Sequence, residues 1–528
     1  MTKDESKIQN PRPKIVWILF AFVIVFVYFF ALGSIPLFGP DEPRYAQVAR
    51  EMFERNDWIT PTLGGYKWFE KPALLYWLQI VSYKIFGVSE FAARFGSAVC
   101  GLGTIFSLWI LGRKVQSSKF KVQSQLLANQ TTIHDSRLTI HDFADWLFLI
   151  SASSIGLLVF SRGASFDIVL TFTITVSLVS FFIFDQSTKK SLTTYHLPLA
   201  AFYFFIGVAL LAKGLVGIVF PFAIVAFYFV LRRKMPDKMF IFSLFWGTIL
   251  SLLVAAVWYV PVYLANGWTF VEEFFIQHQF QRYTSNKFQH PQPVWFFFLV
   301  LPLMTLPWLP FFLAAIWDFI KVQSLRFKTQ SQENSLRPVV TSPIRTFAFA
   351  WLLVPLVFFS FSGSKLPGYI LPALPAALVW TAEYVCRFVE NNRTRKIALL
   401  SVAFATFAFV VIALQFFVAD YARDQSVKTL IATAAAQGYS NEKILNFNNV
   451  SHNTEFYGAG RLVRDADGKQ KRFLSVPEIV EELKRENAKG ALVLAPLESF
   501  GQLTESDLIH GQVLGDNGEL SIVSVETK

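Results

Sequence analysis

The string Phe38-Gly-Pro-Asp-Glu-Pro-Arg-Tyr45 places two adjacent carboxylates, Asp41 and Glu42, directly after the first long apolar run. Ionisable groups near hydrocarbon are costly, so such a pair marks a candidate functional site. The competing reading is a turn whose acids cap a short helix opening near Pro43. Acids and bases recur at the ends of other apolar runs. Glu70 and Lys71 sit in Trp68-Phe-Glu-Lys-Pro72, Arg162 and Asp167 flank a short turn, and Lys213 sits in Ala212-Lys-Gly214. Lys365 and Tyr369 belong to Ser362-Gly-Ser-Lys-Leu-Pro-Gly-Tyr369, and the connection 264–293 adds Glu272, Glu273, His278 and Arg282. This mixture suits transfer of a group from an anionic carrier. A phosphate leaving group needs its growing negative charge stabilised, which Lys and Arg donors do in a dry site. An acceptor hydroxyl needs a carboxylate base within hydrogen-bond reach. Lys71, Arg282 and Lys365 are the cations assigned to phosphate, Arg by bidentate contact and Lys as a movable point charge. One carboxylate suffices for a single displacement with inversion, so the second orients the first or binds the transferred group. Each residue alone has a bland reading, such as a snorkelling lysine, a cap or a belt tyrosine. Their joint location is what is specific.

The elements that must position them are apolar. The chain of 528 residues is 53% hydrophobic and only 16% charged, whereas a soluble chain carries about a quarter charged residues. Fifty-eight Phe and fourteen Trp suit a polytopic membrane protein. Cys100 and Cys386 are the two cysteines, which indicates neither a disulfide framework nor a thiolate metal site. Eleven candidate spans lie near 15–33, 91–112, 144–161, 168–184, 196–212, 215–231, 239–263, 294–319, 346–363, 366–386 and 397–418. The run from Ile15 to Gly33 lacks a convincing cleavage site and reads as a retained helix. Ala73–Val88, interrupted by Lys84, reads as an interfacial helix, with a buried or re-entrant helix as the competing view.

Basic residues cluster in alternate connections, among them Arg113 and Lys114, Arg232 to Lys234, and Arg393 to Lys396. The positive-inside bias makes that side cytoplasmic, with the N-terminus. The net charge of +11 is therefore a topology signal, and no nucleic-acid partner is expected. Asp41, Glu42, Arg44, Glu70, Lys71, Asp167, Lys213, Arg282, Lys365 and Tyr369 then share the opposite face. Two cytoplasmic connections hold near-copies, KVQSSKFKVQSQ at 114–125 and KVQSLRFKTQSQ at 321–332, read as insertions into tolerant loops. His134 and His141 of a second small duplication read as solvated loop residues. The chain divides into a membrane domain, 1–418, with outer loops 34–90 and 264–293, and an extracytoplasmic α/β domain, 419–528. In the latter Ser475-Val-Pro-Glu478 resembles a capping box, and Ala491–Ala495 and Leu520–Ser524 read as strands.

Gly39-Pro-Asp-Glu-Pro-Arg-Tyr45 with Ala49-Arg-Glu-Met52, then Phe69-Glu-Lys-Pro72, Tyr76-Trp77 and Phe86-Gly87, resembles the bacterial aminoarabinose transferase group. That group stands with the protein O-mannosyltransferases in the membrane C-type glycosyltransferase class. Ala212-Lys-Gly214, Phe274–Tyr283, Leu306-Pro-Trp308 and Lys365–Pro372 match in the same order, so the resemblance covers about residues 15–385. It implies an all-α polytopic fold of about 11–13 transmembrane helices in the bacterial inner membrane. It also implies a polyprenyl-phosphate sugar donor, an outer-face reaction, and a lipid, glycan or protein acceptor. Asp41 falls on the catalytic acidic position with Glu42 beside it, and Asp167 on the second acidic position. Lys71, Arg282 and Tyr369 fall where such enzymes hold the lipid phosphate, and Arg44, Tyr45 and Lys213 lie within the matched motifs. Glu70 and His278 look like a pair for a structural zinc, an incomplete set by ordinary zinc rules. The commoner family form has Thr where this chain has Gly368. The rival reading is a flippase for a lipid-linked sugar, which expects charges near the bilayer midplane.

Overall fold

The computed structural model describes residues 12–128, 143–187, 195–284, 291–330 and 342–528. His134 and His141 lie outside them. All eleven expected spans are helical. Six helices are long and apolar enough to cross a membrane, or eight if each of two bent pairs counts as one span. The remaining three expected spans are the shorter apolar helices Ile18–Phe29, Leu197–Lys213 and Val216–Arg232. In chain order the first elements are α1 (Arg12–Phe29), α2 (Asp41–Glu54), the hairpin β1 (Thr62–Leu63) and β2 (Tyr66–Lys67), α3 (Leu74–Phe86) and α4 (Glu90–Ala128). There follow α5 (Phe143–Ser153), α6 (Ile155–Arg162), α7 (Phe166–Asp185), α8 (Leu197–Lys213), α9 (Val216–Arg232) and α10 (Lys238–Asn266). The core is aromatic and continuous, and α7 packs at its centre against α4, α8 and α9.

Several expectations change. The stretch 294–319 is not one straight span: Phe296–Met304 and Leu309–Lys321 meet at 120°. Pro302, Pro307 and Pro310 remove helical hydrogen-bond donors around that corner. The α5–α6 pair is also bent, by 54°, and the two breaks satisfy each other. The Ile155 amide donates to the Leu306 carbonyl at 2.8 Å, and Trp308 Nε1 donates to Ser153 Oγ at 2.9 Å. Broken backbone at membrane depth is tolerated only when its polar groups are met in this way. Both near-copies of the KVQS segment continue helices, α4 and Leu309–Gln330, where loops were expected. Lys and Gln are good helix formers, so an apolar span can run on past its last apolar turn. The expected interfacial helix, α3, buries Leu75, Tyr76, Ile80 and Tyr83 while exposing Val81, Ile85 and Phe86. It packs against α2 and α4.

The C-terminal region holds a five-stranded mixed sheet, ordered β4-β3-β5-β7-β6. Its strands are β3 (Ile444–Phe447), β4 (Arg472–Phe473), β5 (Gly490–Pro496), β6 (Ile509–Asp516) and β7 (Leu520–Thr527). Alternation sends Leu445, Phe447 and Val493 to one face, under helix Val476–Arg485. Ile444, Leu492 and Leu494 face Leu430 and Ile431 on the other. Ser475 precedes the helix, and Glu478 accepts from the Leu474 amide at 3.0 Å.

The run leaving α1 is fixed by two arginines. Arg162 donates to the carbonyls of Val27 at 2.6 Å and Phe30. Arg94, one turn into α4 and 2% exposed, donates to Leu32, Ile35 and Pro36 at 2.9, 2.6 and 2.9 Å. Its charge is met by Glu42, with Nη2 2.7 Å from Oε2 and Nε 2.9 Å from Oε1. Removing one partner of a buried pair typically costs about 3–5 kcal/mol, because the other charge is stranded. Arg94→Leu should therefore lower the apparent unfolding temperature in detergent sharply, and adding Glu42→Leu should recover part of the loss. Unchanged unfolding of the single variant would show that the pair carries no weight.

Candidate active site

Two cavities adjoin on the side of the protein that carries α2. The larger, about 560 Å³, is bounded by the chain from Ala31 to Tyr45, the α6–α7 turn, and Phe409, Val410, Ala413 and Leu414 of the late helix Arg393–Ala413 and its π-helical extension. The smaller, about 280 Å³, lies between α9, the π-helical segment Val271–Gln281 and Phe358 and Phe359. Lys71, Lys213 and Tyr369 line both. Apolar walls thus meet at a short cationic junction.

The α2 helix presents the carboxylates in its first turn, where the helix N-terminus favours negative charge. The capping reading fails in detail: the helix opens at Asp41, not near Pro43, with Pro40 at its N-cap and no side-chain capping bond, so the two acids sit inside the first turn. The two acids differ sharply. Glu42 is saturated: besides Arg94, its Oε1 accepts the Ala164 amide at 2.7 Å. Asp41 lines the large cavity half-exposed, and its nearest ion-pair partner among the described residues is Arg44, at 3.9 Å. Arg44 leans instead on Glu70 at 3.4 Å, and Lys71 Nζ lies 3.0 Å from the other Glu70 oxygen. Burial alone would depress the Arg44 guanidinium, but Glu70 and Asp41 hold its pKa above the usual arginine value. Tyr45 is buried edge-on to Phe166 at 4.9 Å, and burial, with Glu70 and Asp41 near it, pushes its phenol well above the ordinary range. It stays neutral.

Asp167, in the first turn of α7, forms an ion pair with Lys213 from the last turn of α8. Lys213 Nζ stands 4.6 Å from the centre of the Tyr369 ring. Gly368 explains how this pair fits: a Cβ there would fall inside the contact distance of Asp167 Oδ2. Lys365 is buried and donates to the carbonyls of Ser362 at 2.7 Å and Gln292 at 3.0 Å. It lines neither cavity and acts here as a backbone clamp. His278 lines the smaller cavity. Arg282 begins the short helix Arg282–Thr284, and its side chain lies outside the described residues. Among the described residues no group of three or more His, Cys, Asp or Glu side chains is placed to hold a metal ion. Glu70, one of the two residues the resemblance pairs for zinc, is engaged by Arg44 and Lys71.

Three features escaped the sequence reading. Arg94 falls inside the expected span 91–112, and a lone arginine one turn into an apolar helix was itself the signal. His452 and Glu455 of the C-terminal region reach the electrostatic neighbourhood of Arg44. Burial, with Arg44 nearby, lowers the His452 pKa. Tyr457 touches the α1–α2 connection, and no local pattern announces such a long-range contact.

A family model described as dolichyl-phosphate-mannose-protein mannosyltransferase matches residues 70–163, which include Glu70, Lys71 and Arg94. An undecaprenyl phosphate-alpha-4-amino-4-deoxy-L-arabinose arabinosyl transferase from Shewanella sediminis is 27% identical over 78% of this chain and 67% of its own length. Its counterpart from Yersinia enterocolitica is 29% identical over 74% of this chain and 63% of its own. The chain thus spans about two thirds of the curated relatives' length. A crystal structure of ArnT from Cupriavidus metallidurans bound to undecaprenyl phosphate superposes with a TM-score of 0.73. It covers 97% of this chain and 98% of that one at 21% identity. The fold is that of the C-type glycosyltransferases, and the chain is aminoarabinose-transferase-like in sequence.

Overfilling a tight contact costs about 1–3 kcal/mol. Gly368→Ala should accordingly depress the apparent unfolding temperature in detergent, and more so than Gly501→Ala, where a Cβ would meet nothing closer than 3.9 Å. Equal melting of the two would show that the contact has slack.

Proposed function

We propose that this aminoarabinose-transferase-like chain is an integral-membrane glycosyltransferase that moves a sugar from a polyprenyl phosphate to an acceptor hydroxyl at the outer face of the cytoplasmic membrane. The observation that carries this reading is the junction of two apolar cavities at Lys71, Lys213 and Tyr369, with Asp41 at the edge of the larger. A lipid-phosphate donor needs an apolar groove ending in cations, and the smaller cavity has that form. The larger cavity is walled by Phe409, Val410 and Leu414, which favours a lipid-borne hydroxyl over a glycan or protein as acceptor.

The step is a single displacement. The acceptor oxygen attacks the anomeric carbon, the bond from that carbon to phosphate oxygen breaks, and the phosphate leaves with the electron pair. Asp41 takes the acceptor proton, since Glu42 and Asp167 are held in close ion pairs. Lys71 and Lys213 meet the charge growing on the departing phosphate. Asp41, Arg44, Glu70, Lys71, Asp167 and Lys213 together carry no net formal charge. A phosphate therefore calls for a further cation, and Arg282 on the short helix beside the smaller cavity is assigned that role. No step is routed through a metal.

Purified protein reconstituted with radiolabelled polyprenyl-phosphate sugars and candidate lipid acceptors should give product, and Asp41→Asn should reduce turnover by about 10²-fold or more while donor binding persists. Wild-type turnover by Asp41→Asn would remove the base assignment. Movement of the donor lipid across the bilayer without transfer would favour the flippase instead. The topology is checked separately. In intact cells with a permeabilised outer membrane, Asp507→Cys should react with an impermeant maleimide and Met235→Cys should not, and the reverse pattern would invert the orientation.

A further inference from the structure

The C-terminal domain does more than sit beside the membrane helices. Its short helix Thr454–Tyr457 packs on α2, the element that carries Asp41. The Tyr457 hydroxyl accepts a hydrogen bond from the Leu37 amide at 2.8 Å and donates one to Glu90 Oε1 at 3.1 Å. Leu37 stands four residues before Asp41. Glu90 is buried and opens α4, whose next turn carries Arg94. A single hydroxyl from residue 457 therefore ties the start of α4 to the run of chain that enters α2.

The neighbouring contacts make this docking stiff. Lys428 Nζ reaches the same Glu90 oxygen at 2.5 Å. The Tyr66 hydroxyl at the β1–β2 hairpin donates to the Asp465 carbonyl at 3.4 Å. Gly468 lies under the Tyr66 ring so closely that a Cβ would stand 2.6 Å from it. Arg464 covers Gly64 of the hairpin turn and pairs with Glu455. The hairpin is in turn fastened to α2, since Glu51 accepts from the amides of Gly64 and Gly65 at 2.6 and 3.1 Å. The domain thus grips α2 from both sides. Among the domain's described residues, Tyr457 makes the hydrogen bond to the loop directly ahead of Asp41.

We propose that Tyr457 is a positioning residue for the transfer reaction, holding the Leu37–Asp41 loop so that the Asp41 carboxylate faces the acceptor. The inference rests on the reading of Asp41 as general base. The Ile35 and Pro36 carbonyls just ahead of this loop are taken by Arg94, and its Phe38 amide donates to Glu42 at 3.4 Å. The Leu37 amide depends on the tyrosine. Without it, a displacement of the loop by about 1 Å is enough to cost as much as 10²-fold in rate. A purely structural role for the domain makes a different forecast, namely lower stability with normal turnover per folded molecule.

Tyr457→Phe keeps the ring and removes both hydrogen bonds. With activity normalised to folded protein by size exclusion, kcat should fall about tenfold or more while the donor KM stays at the wild-type value. Lys428→Ala weakens the same docking without releasing Leu37, and its kcat should remain near wild type. Wild-type kcat in Tyr457→Phe, or equal losses in both variants, would overturn the assignment. Should Tyr457→Phe fail to accumulate, Glu90→Ala against Glu90→Gln gives the same discrimination, because only Gln preserves an acceptor for the Tyr457 hydroxyl. Equal kcat in that pair would again overturn it. Absence of transfer in the wild-type protein would instead remove the function on which the inference stands.

Discussion

The Arg94–Glu42 pair is the constraint on which the site depends. The chain leaving α1 must turn at the membrane boundary, where bare carbonyls are expensive. Arg94 covers three of them and needs a counter-charge in a place water does not reach. Glu42 supplies it, and its spare acceptor capacity takes the Ala164 amide at the α6–α7 turn. One ion pair therefore sets the relative placement of α1, α2, α4 and α7. Asp41 and Asp167, one on α2 and the other on α7, inherit their separation from it. The interaction is costly to assemble and well satisfied, which is the condition under which a buried pair specifies geometry.

Much of this was legible in the residues, and the failures share a cause. Apolar runs and basic connections marked every span, because the bilayer imposes length and composition on a segment locally. The motif strings marked Asp41, Lys71, Asp167, Lys213 and Tyr369, which the structure gathers around one junction. What a string cannot show is which of two equivalent side chains finds a partner. Asp41 and Glu42 are neighbours with the same chemistry and both line the cavity, yet a step of about 100° around the helix leaves one half-exposed and sets the other against Arg94. Lys365 and Lys213 are equally conspicuous at span ends. The first is absorbed by backbone carbonyls at 362 and 292, and the second faces the cavities. The Tyr457 contact joins residues 420 positions apart, beyond any periodicity.

Charge at the junction raises a final point. Lysines intended for an anion are hard to keep in a site with apolar walls, because an uncompensated ammonium there tends to lose its proton or draw in water. Here each is matched: Lys71 to Glu70, and Lys213 to Asp167. Asp41 and Glu70 are both carboxylates near this junction, and like charges close together repel. Arg44 resolves the conflict by standing between Asp41 and Glu70, 3.9 Å from one and 3.4 Å from the other. It screens Asp41 from the carboxylate that pairs with Lys71. The proton acceptor and the lysines of the proposed displacement can then share one small apolar junction.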